Sequence, residues 1–150
     1  MSIDNSSWTA ERDYPHPPER VFAAWADPAV KVRWFDLSGN EAPDYRGDFR
    51  VGGMESFRTP TGTQPVFTYD AQYRDIVDNE RIVTTYEMSV DGRRTSVSVA
   101  AVELTATATG THLVHTEQGA YLDGLDNPES RRTGTGAQLD NLAAVLMEQP

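Results

Sequence analysis

Apolar residues recur along this chain at two spacings, and the change from one to the other outlines a fold. Residues 8–14, Trp-Thr-Ala-Glu-Arg-Asp-Tyr, read as a first strand, and Pro15-His16-Pro17-Pro18 ends it because proline cannot donate to a ladder. Val21, Ala24 and Trp25 fall at i, i+3 and i+4, the single stripe of a short helix over about 18–26. Asp27-Pro28 breaks that helix, and a second short one over about 28–34 carries Val32 beside Trp34 and Phe35. The period then shortens toward two. Tyr45, Phe49 and Val51 alternate with charged residues as far as Gly52-Gly53, and Met54–Thr59 is the next strand. Pro60-Thr61-Gly62 has turn chemistry. Val66–Ile76 is a long aromatic-rich strand, and Arg81–Val90 sets Ile82, Thr84, Tyr86 and Met88 on one face. Asp91-Gly92 and Thr109-Gly110 are hairpin signals around the β-rich run Thr95–Thr107, and Thr111–Ala120 follows. The last segment, about 128–148, is helical, with Leu139, Leu142, Ala143 and Leu146 at 0, 3, 4 and 7. Ser38–Asp44 and Tyr121–Gly136 are the longest loop-like stretches, and Thr133-Gly134-Thr135-Gly136 stands where the last helix could begin late or flex.

The order predicts an α+β domain. Sequential hairpins give an antiparallel sheet of about six to seven strands, and such a sheet has one face to cover. The long C-terminal helix is the large element available to cover it. A strongly curved sheet wrapped on one helix can leave space between the two.

Composition narrows the class. A chain of 150 residues fits one domain, 1–150, with a core over about 8–147. Without cysteine it has no disulfide and no thiolate nucleophile or ligand. A formal charge of −10 repels phosphate backbones, which argues against nucleic acid and anionic membranes as partners. No window approaches the ~20 apolar residues of a membrane span, and the N-terminus lacks the basic and apolar runs of a signal peptide. A cytoplasmic location is the expectation.

Several blocks carry a resemblance. Tyr14-Pro15 through Val21-Phe22-Ala23-Ala24-Trp25, then Asp27-Pro28 and Arg33-Trp34-Phe35, resemble the opening signature of bacterial proteins related to the activator of the heat-shock chaperone ATPase, the Aha-type family. Asp48-Phe49-Arg50-Val51-Gly52-Gly53, Tyr69-Asp70-Ala71 through Asp75-Ile76, and Glu80-Arg81-Ile82-Val83 resemble its next blocks, and Thr116 through Gly124 resembles one bacterial subgroup. The resemblance implies the helix-grip fold of the START/Bet v-like SRPBCC superfamily. That superfamily includes carriers of apolar small molecules, aromatase/cyclase enzymes and chaperone regulators. Eukaryotic chaperone activators carry a further chaperone-binding domain, for which a single 150-residue domain leaves no room.

Candidate chemistry centres on Glu117. If Leu113 faces the core, strand alternation turns His115, Glu117 and Gly119 the same way, placing an imidazole beside a desolvated carboxylate able to act as acid or base. The opposite register turns His112, Val114 and Thr116 inward, and a third possibility is that Glu117 pairs with an arginine. Tyr69 and Tyr86, on neighbouring strands, suit the wall of an apolar cavity, although Phe67 and Tyr73 share the parity of Tyr69 and the stripe could equally be core. Trp34 and Phe35 sit on the short helices that, in the resembled fold, close one end of the cavity. His16, between prolines, is expected to be exposed. Arg46, Asp48 and Arg50 read as a solvated face, with Asp70 and Asp75 available as partners. The three histidines have no metal-site spacing, Gly52-Gly53 lacks the lysine of a phosphate loop, and no GxSxG elbow occurs.

The ligand-binding candidates are therefore Trp34, Phe35, Tyr69, Tyr86, His115 and Glu117, with His115 and Glu117 also the weak catalytic candidates, and no metal or cofactor expected. The leading expectation is a module that binds a small apolar, aromatic or lipid-like molecule between sheet and C-terminal helix. The alternatives are a chaperone-associated or stress-response interaction protein and a cyclase- or hydrolase-type enzyme using Glu117 and His115. Monomer and homodimer both fit, the latter through aromatics near Trp8 or Trp34 if they are exposed.

Overall fold

A computed structural model of the chain describes residues 2–39, 43–60, 62 and 64–148. Strand β1 (Ile3–Tyr14) is followed by helices α1 (Pro18–Ala26) and α2 (Pro28–Phe35), then by strands β2 (Asp44–Gly47), β3 (Met54–Arg58), β4 (Phe67–Val77), β5 (Arg81–Val90), β6 (Arg93–Thr107) and β7 (Gly110–Leu122), and by helix α3 (Pro128–Glu148). The strands form one antiparallel sheet in the order β1-β7-β6-β5-β4-β3-β2, so β3 to β7 make a continuous meander and β1 returns to pair with β7. Together with the long helix packed on the sheet, this is the expected α+β helix-grip architecture.

Local chemistry explains the boundaries. The Asp27 carboxylate caps α2 by accepting from the Ala29 N–H at 3.0 Å, and the Asn127 side chain caps α3 by accepting from Ser130 N–H at 2.8 Å. A proline follows each cap in the first helical position. Asp91 and Gly92 both have positive φ, 50° and 81°, as a tight turn between β5 and β6 requires.

Some expectations are corrected. β1 starts at Ile3 rather than Trp8, since residues 3–7 keep pairing with residues 118–122. β2 ends at Gly47; Phe49 leaves the sheet to pack edge-on against Phe22 and Tyr73, and Val51 lies in an exposed turn. The loop-like reading of 121–136 holds only for 123–127, since Tyr121 and Leu122 end β7 and Gly134 and Gly136 lie inside α3 rather than before it. His16 is half-buried, with its Nε2 enclosed and unpartnered. Asp75 pairs with Arg81, and Arg50 with Asp48. Trp8 and Trp34 are both buried, so neither offers an exposed ring for a dimer. Thr61 of the expected turn and residues 40–42 of the expected loop lie outside the described residues.

The core lies between α3 and the sheet. Leu139, Leu142, Val145 and Leu146 of α3 pack with Trp8, Ala10 and Tyr14 of β1, Val102 and Leu104 of β6, and Leu113 of β7. Tyr14 donates to the carbonyl of Leu139 at 2.8 Å, tying the first strand to the last helix. A bulge at Arg74 shifts β4 against β5 between Tyr73 and Asp75. It changes the alternation, so that Ile76 packs on the core while Asp75 meets Arg81 outside.

Candidate functional site

The packing is incomplete at one end. Where α3 is narrowed by Gly134 and Thr135, a cavity of about 390 Å3 remains between α2, α3 and strands β3 to β7. Its wall includes all six candidate residues: Trp34 and Phe35 from α2, Tyr69 from β4, Tyr86 from β5, and His115 and Glu117 from β7. The register is the one in which Leu113 faces inward, and His112 lies on the outer face between Glu11 and Asp13. Most of the wall is aromatic or aliphatic. Phe35 meets Tyr69 edge-on at 5.1 Å between ring centroids, Tyr69 meets Tyr86 at 4.9 Å, and Trp34 meets Trp25 at 4.5 Å.

A polar cluster interrupts that wall around Glu117. Glu117 is 1% exposed. Its Oε2 accepts from His115 Nε2 at 2.9 Å, and its Oε1 accepts a short hydrogen bond from the Tyr86 hydroxyl. A carboxylate accepts only, so in this contact the imidazole donates from Nε2. Nδ1 is enclosed and has no hydrogen-bond partner among the described residues. Trp8 stacks on the His115 ring at 5.5 Å and 12°, and Trp8 in turn donates from Nε1 to Tyr121 at 3.1 Å. These contacts hold the imidazole plane.

Arg131 completes the cluster from the first turn of α3. It donates from Nη1 to the Tyr86 oxygen and from Nη2 to Ser96, both at 2.8 Å, and from Nη2 to Asp126 at 2.5 Å. Its Nη1 lies 3.8 Å from Glu117 Oε1, so the Tyr86 phenol bridges guanidinium and carboxylate. Burial, followed by the Glu117 charge, raises the Tyr86 pKa far above that of a free phenol, which keeps the hydroxyl protonated as a donor.

A second buried carboxylate braces the mouth of α2. Glu55 on β3 is 1% exposed and accepts from Lys31 Nζ at 2.5 Å, from Tyr69 and Tyr73 at 3.0 Å each, and from Tyr45. Burial pulls its pKa up, but the Lys31 ammonium and these hydrogen bonds outweigh that, and the net shift is downward. Lys31 also stands 4.8 Å from the centre of the Phe35 ring.

Lys31, Glu55 and Arg131 were not among the sequence candidates, yet each had a signal. Lys31 shares a helical face with Trp34 and Phe35 at i+3 and i+4. Glu55 shares strand parity with Phe57. Arg131 and Thr135 extend the stripe of Leu139 and Leu142 toward the helix start at the same spacing. Among the described residues, no group of three or more His, Asp or Glu side chains is placed to hold a metal ion.

This arrangement can grip an apolar molecule between aromatic faces, orient one polar atom of it at the Glu117 end, and exchange a proton there. No curated protein matches the chain. Solved structures do. A putative uncharacterized protein from Rhizobium leguminosarum is 39% identical, with a TM-score of 0.93 over 99% of this chain and 98% of that one. The Mll3558 protein from Rhizobium loti is 44% identical, with a TM-score of 0.89 over 97% of this chain and 99% of that one. The Chromobacterium violaceum protein CV1439 shares the fold at 24% identity, with a TM-score of 0.72 over 93% and 96% of the two chains. The sequence profile of one family matches residues 15–147, nearly the whole helix-grip unit and every element of the cavity wall. The chain therefore belongs to the family described as Activator of Hsp90 ATPase homolog 1-like protein, within the SRPBCC superfamily.

Proposed function

We propose that the protein binds a small, mostly apolar molecule in the cavity between α3 and the sheet. The observation that carries this reading is a cavity of about 390 Å3 whose largely aromatic and aliphatic wall carries a convergent polar cluster around Glu117. Small-molecule sites typically have volumes of about 300–1,000 Å3 and this same division of labour. Burial against the aromatic wall supplies affinity, and Glu117, Tyr86 and His115 orient the ligand's polar atom. Native mass spectrometry of freshly purified protein, followed by extraction, tests the reading. The expected result is a co-purifying small molecule, or an adduct with added aromatic compounds that also quenches Trp25 and Trp34. A bare protein mass together with no response to any aromatic compound overturns it.

The 2.9 Å contact between His115 Nε2 and Glu117 Oε2 favours a second reading, proton transfer on the bound molecule. Glu117→Gln separates the two. Under the enzyme reading this variant still binds but abolishes conversion of the bound compound; under the carrier reading wild type converts nothing.

A further inference from the structure

Each cation on the cavity wall already has its counter-ion. Lys31 is 2.5 Å from Glu55 and is backed by the Phe35 ring. Arg131 gives three of its N–H groups to Asp126, Ser96 and the Tyr86 oxygen, and its charge is matched by Asp126 and by Glu117 at 3.8 Å behind that phenol. The balance is not even. Two cations face three carboxylates, Glu55, Glu117 and Asp126, and Asp36 adds a fourth at the wall. Among the described residues of the wall, a ligand carboxylate would lose its water and meet only cations already matched by carboxylates, and its charge would add to those present. The aromatic faces nearest the two cations are occupied as well, Phe35 by Lys31 and Tyr86 by Arg131 at 5.5 Å.

We propose that the cavity selects by charge, admitting neutral aromatic molecules and turning away carboxylates, and that Glu117 sets this selectivity by sharing Arg131 with Asp126. The inference rests on the cavity being a binding site, and it goes further by fixing the class of molecule. It also assigns the buried ion pairs a role apart from stability: they neutralise, in advance, the groups an acid would need.

The test uses two probes of the same shape, naphthamide and naphthoate, titrated calorimetrically into the full chain near neutral pH. Wild type is expected to bind the amide at least about tenfold more tightly than the carboxylate, the order of discrimination expected for an unpaired buried charge. Glu117→Gln removes the negative charge behind the Tyr86 phenol, leaves Asp126 as the carboxylate facing Arg131, and is expected to close that gap by about tenfold, mostly through tighter naphthoate binding. Should Glu117→Gln fail to melt cooperatively, Asp126→Asn removes the other carboxylate from the same guanidinium at a more exposed position, and the gap narrows there instead. Naphthoate binding wild type as tightly as the amide overturns the charge selectivity while leaving the binding site intact. An unchanged ratio in a folded variant overturns the assignment to Glu117. If neither probe binds, the cavity reading itself falls, and the selectivity with it.

Discussion

A buried lysine facing a buried glutamate is a costly arrangement, and at Lys31 and Glu55 three phenols share the cost. Breaking such a pair from one side leaves an unpaired charge and typically costs about 3–5 kcal/mol. Glu55→Gln should fall in that range, since it strands the ammonium among aromatic rings. Lys31→Met should cost less, because Tyr45, Tyr69 and Tyr73 still donate to the carboxylate. The double variant Lys31→Met/Glu55→Leu should recover part of the loss but not all of it, since three hydroxyls then lack their acceptor. Urea unfolding of the three variants checks the ranking, and a double variant less stable than Glu55→Gln would contradict it. On the outer face, His112 accepts protons more readily than usual. Hydrogen bonds to Asp13 and Glu11 raise its pKa above 6.5. A raised folded value makes its contribution fully present below the ordinary imidazole pKa and lost as pH rises through the raised one. His112→Gln should therefore flatten the pH dependence of the unfolding midpoint as pH rises past the ordinary imidazole value, and added salt should shrink the difference because the site is exposed. Parity groups His115 with Glu117 but leaves their face open, and Trp34 and Phe35 enter through the family resemblance, whereas Lys31 and Arg131 escape notice because a charged residue on an apolar stripe reads as its edge. Only the three-dimensional partner, a carboxylate from a distant strand, distinguishes a buried cation from a solvated one.

At the scale of elements, α3 does two jobs along its length. Its C-terminal half is a packed stripe, legible as Leu139, Leu142, Ala143 and Leu146. Its N-terminal half faces the cavity, where the same stripe runs on as Arg131, Thr135 and Gln138. The glycines made that half look like a loop, since glycine costs about 1 kcal/mol relative to alanine within a helix. Gly134 has open space where a side chain would project, and it lines the cavity. Gly134→Ala should thus stabilise the fold by about 0.5–1 kcal/mol in urea unfolding while weakening the larger of two homologous ligands more than the smaller. Loss of stability, or equal binding of both, would show that the glycine serves something other than room. The bulge at Arg74 had no signature of its own in the sequence. Strict alternation from Tyr73 would have put Asp75 in the core, and the insertion of one residue spares it that position.

For the whole molecule, the meander was legible because each hairpin is written in adjacent residues, such as Asp91-Gly92. The cavity was not, because no local pattern records how far a curved sheet stands off its helix. The pairing that closes the architecture is also the least local: Ile3 pairs with Leu122 and Tyr14 with Thr111, while Arg12 meets Asp140 and Arg132 reaches the Thr9 carbonyl on α3's side. Topologies dominated by such distant contacts fold in milliseconds to seconds, and refolding followed by stopped-flow fluorescence should lie in that range rather than in microseconds. There is a consequence for synthesis. The first strand to be made is the one whose partners, β7 and α3, are made last. Because α3 comes last in the fold, a chain cut short before it lacks Arg131, Thr135 and Gln138, and with them one wall of the cavity.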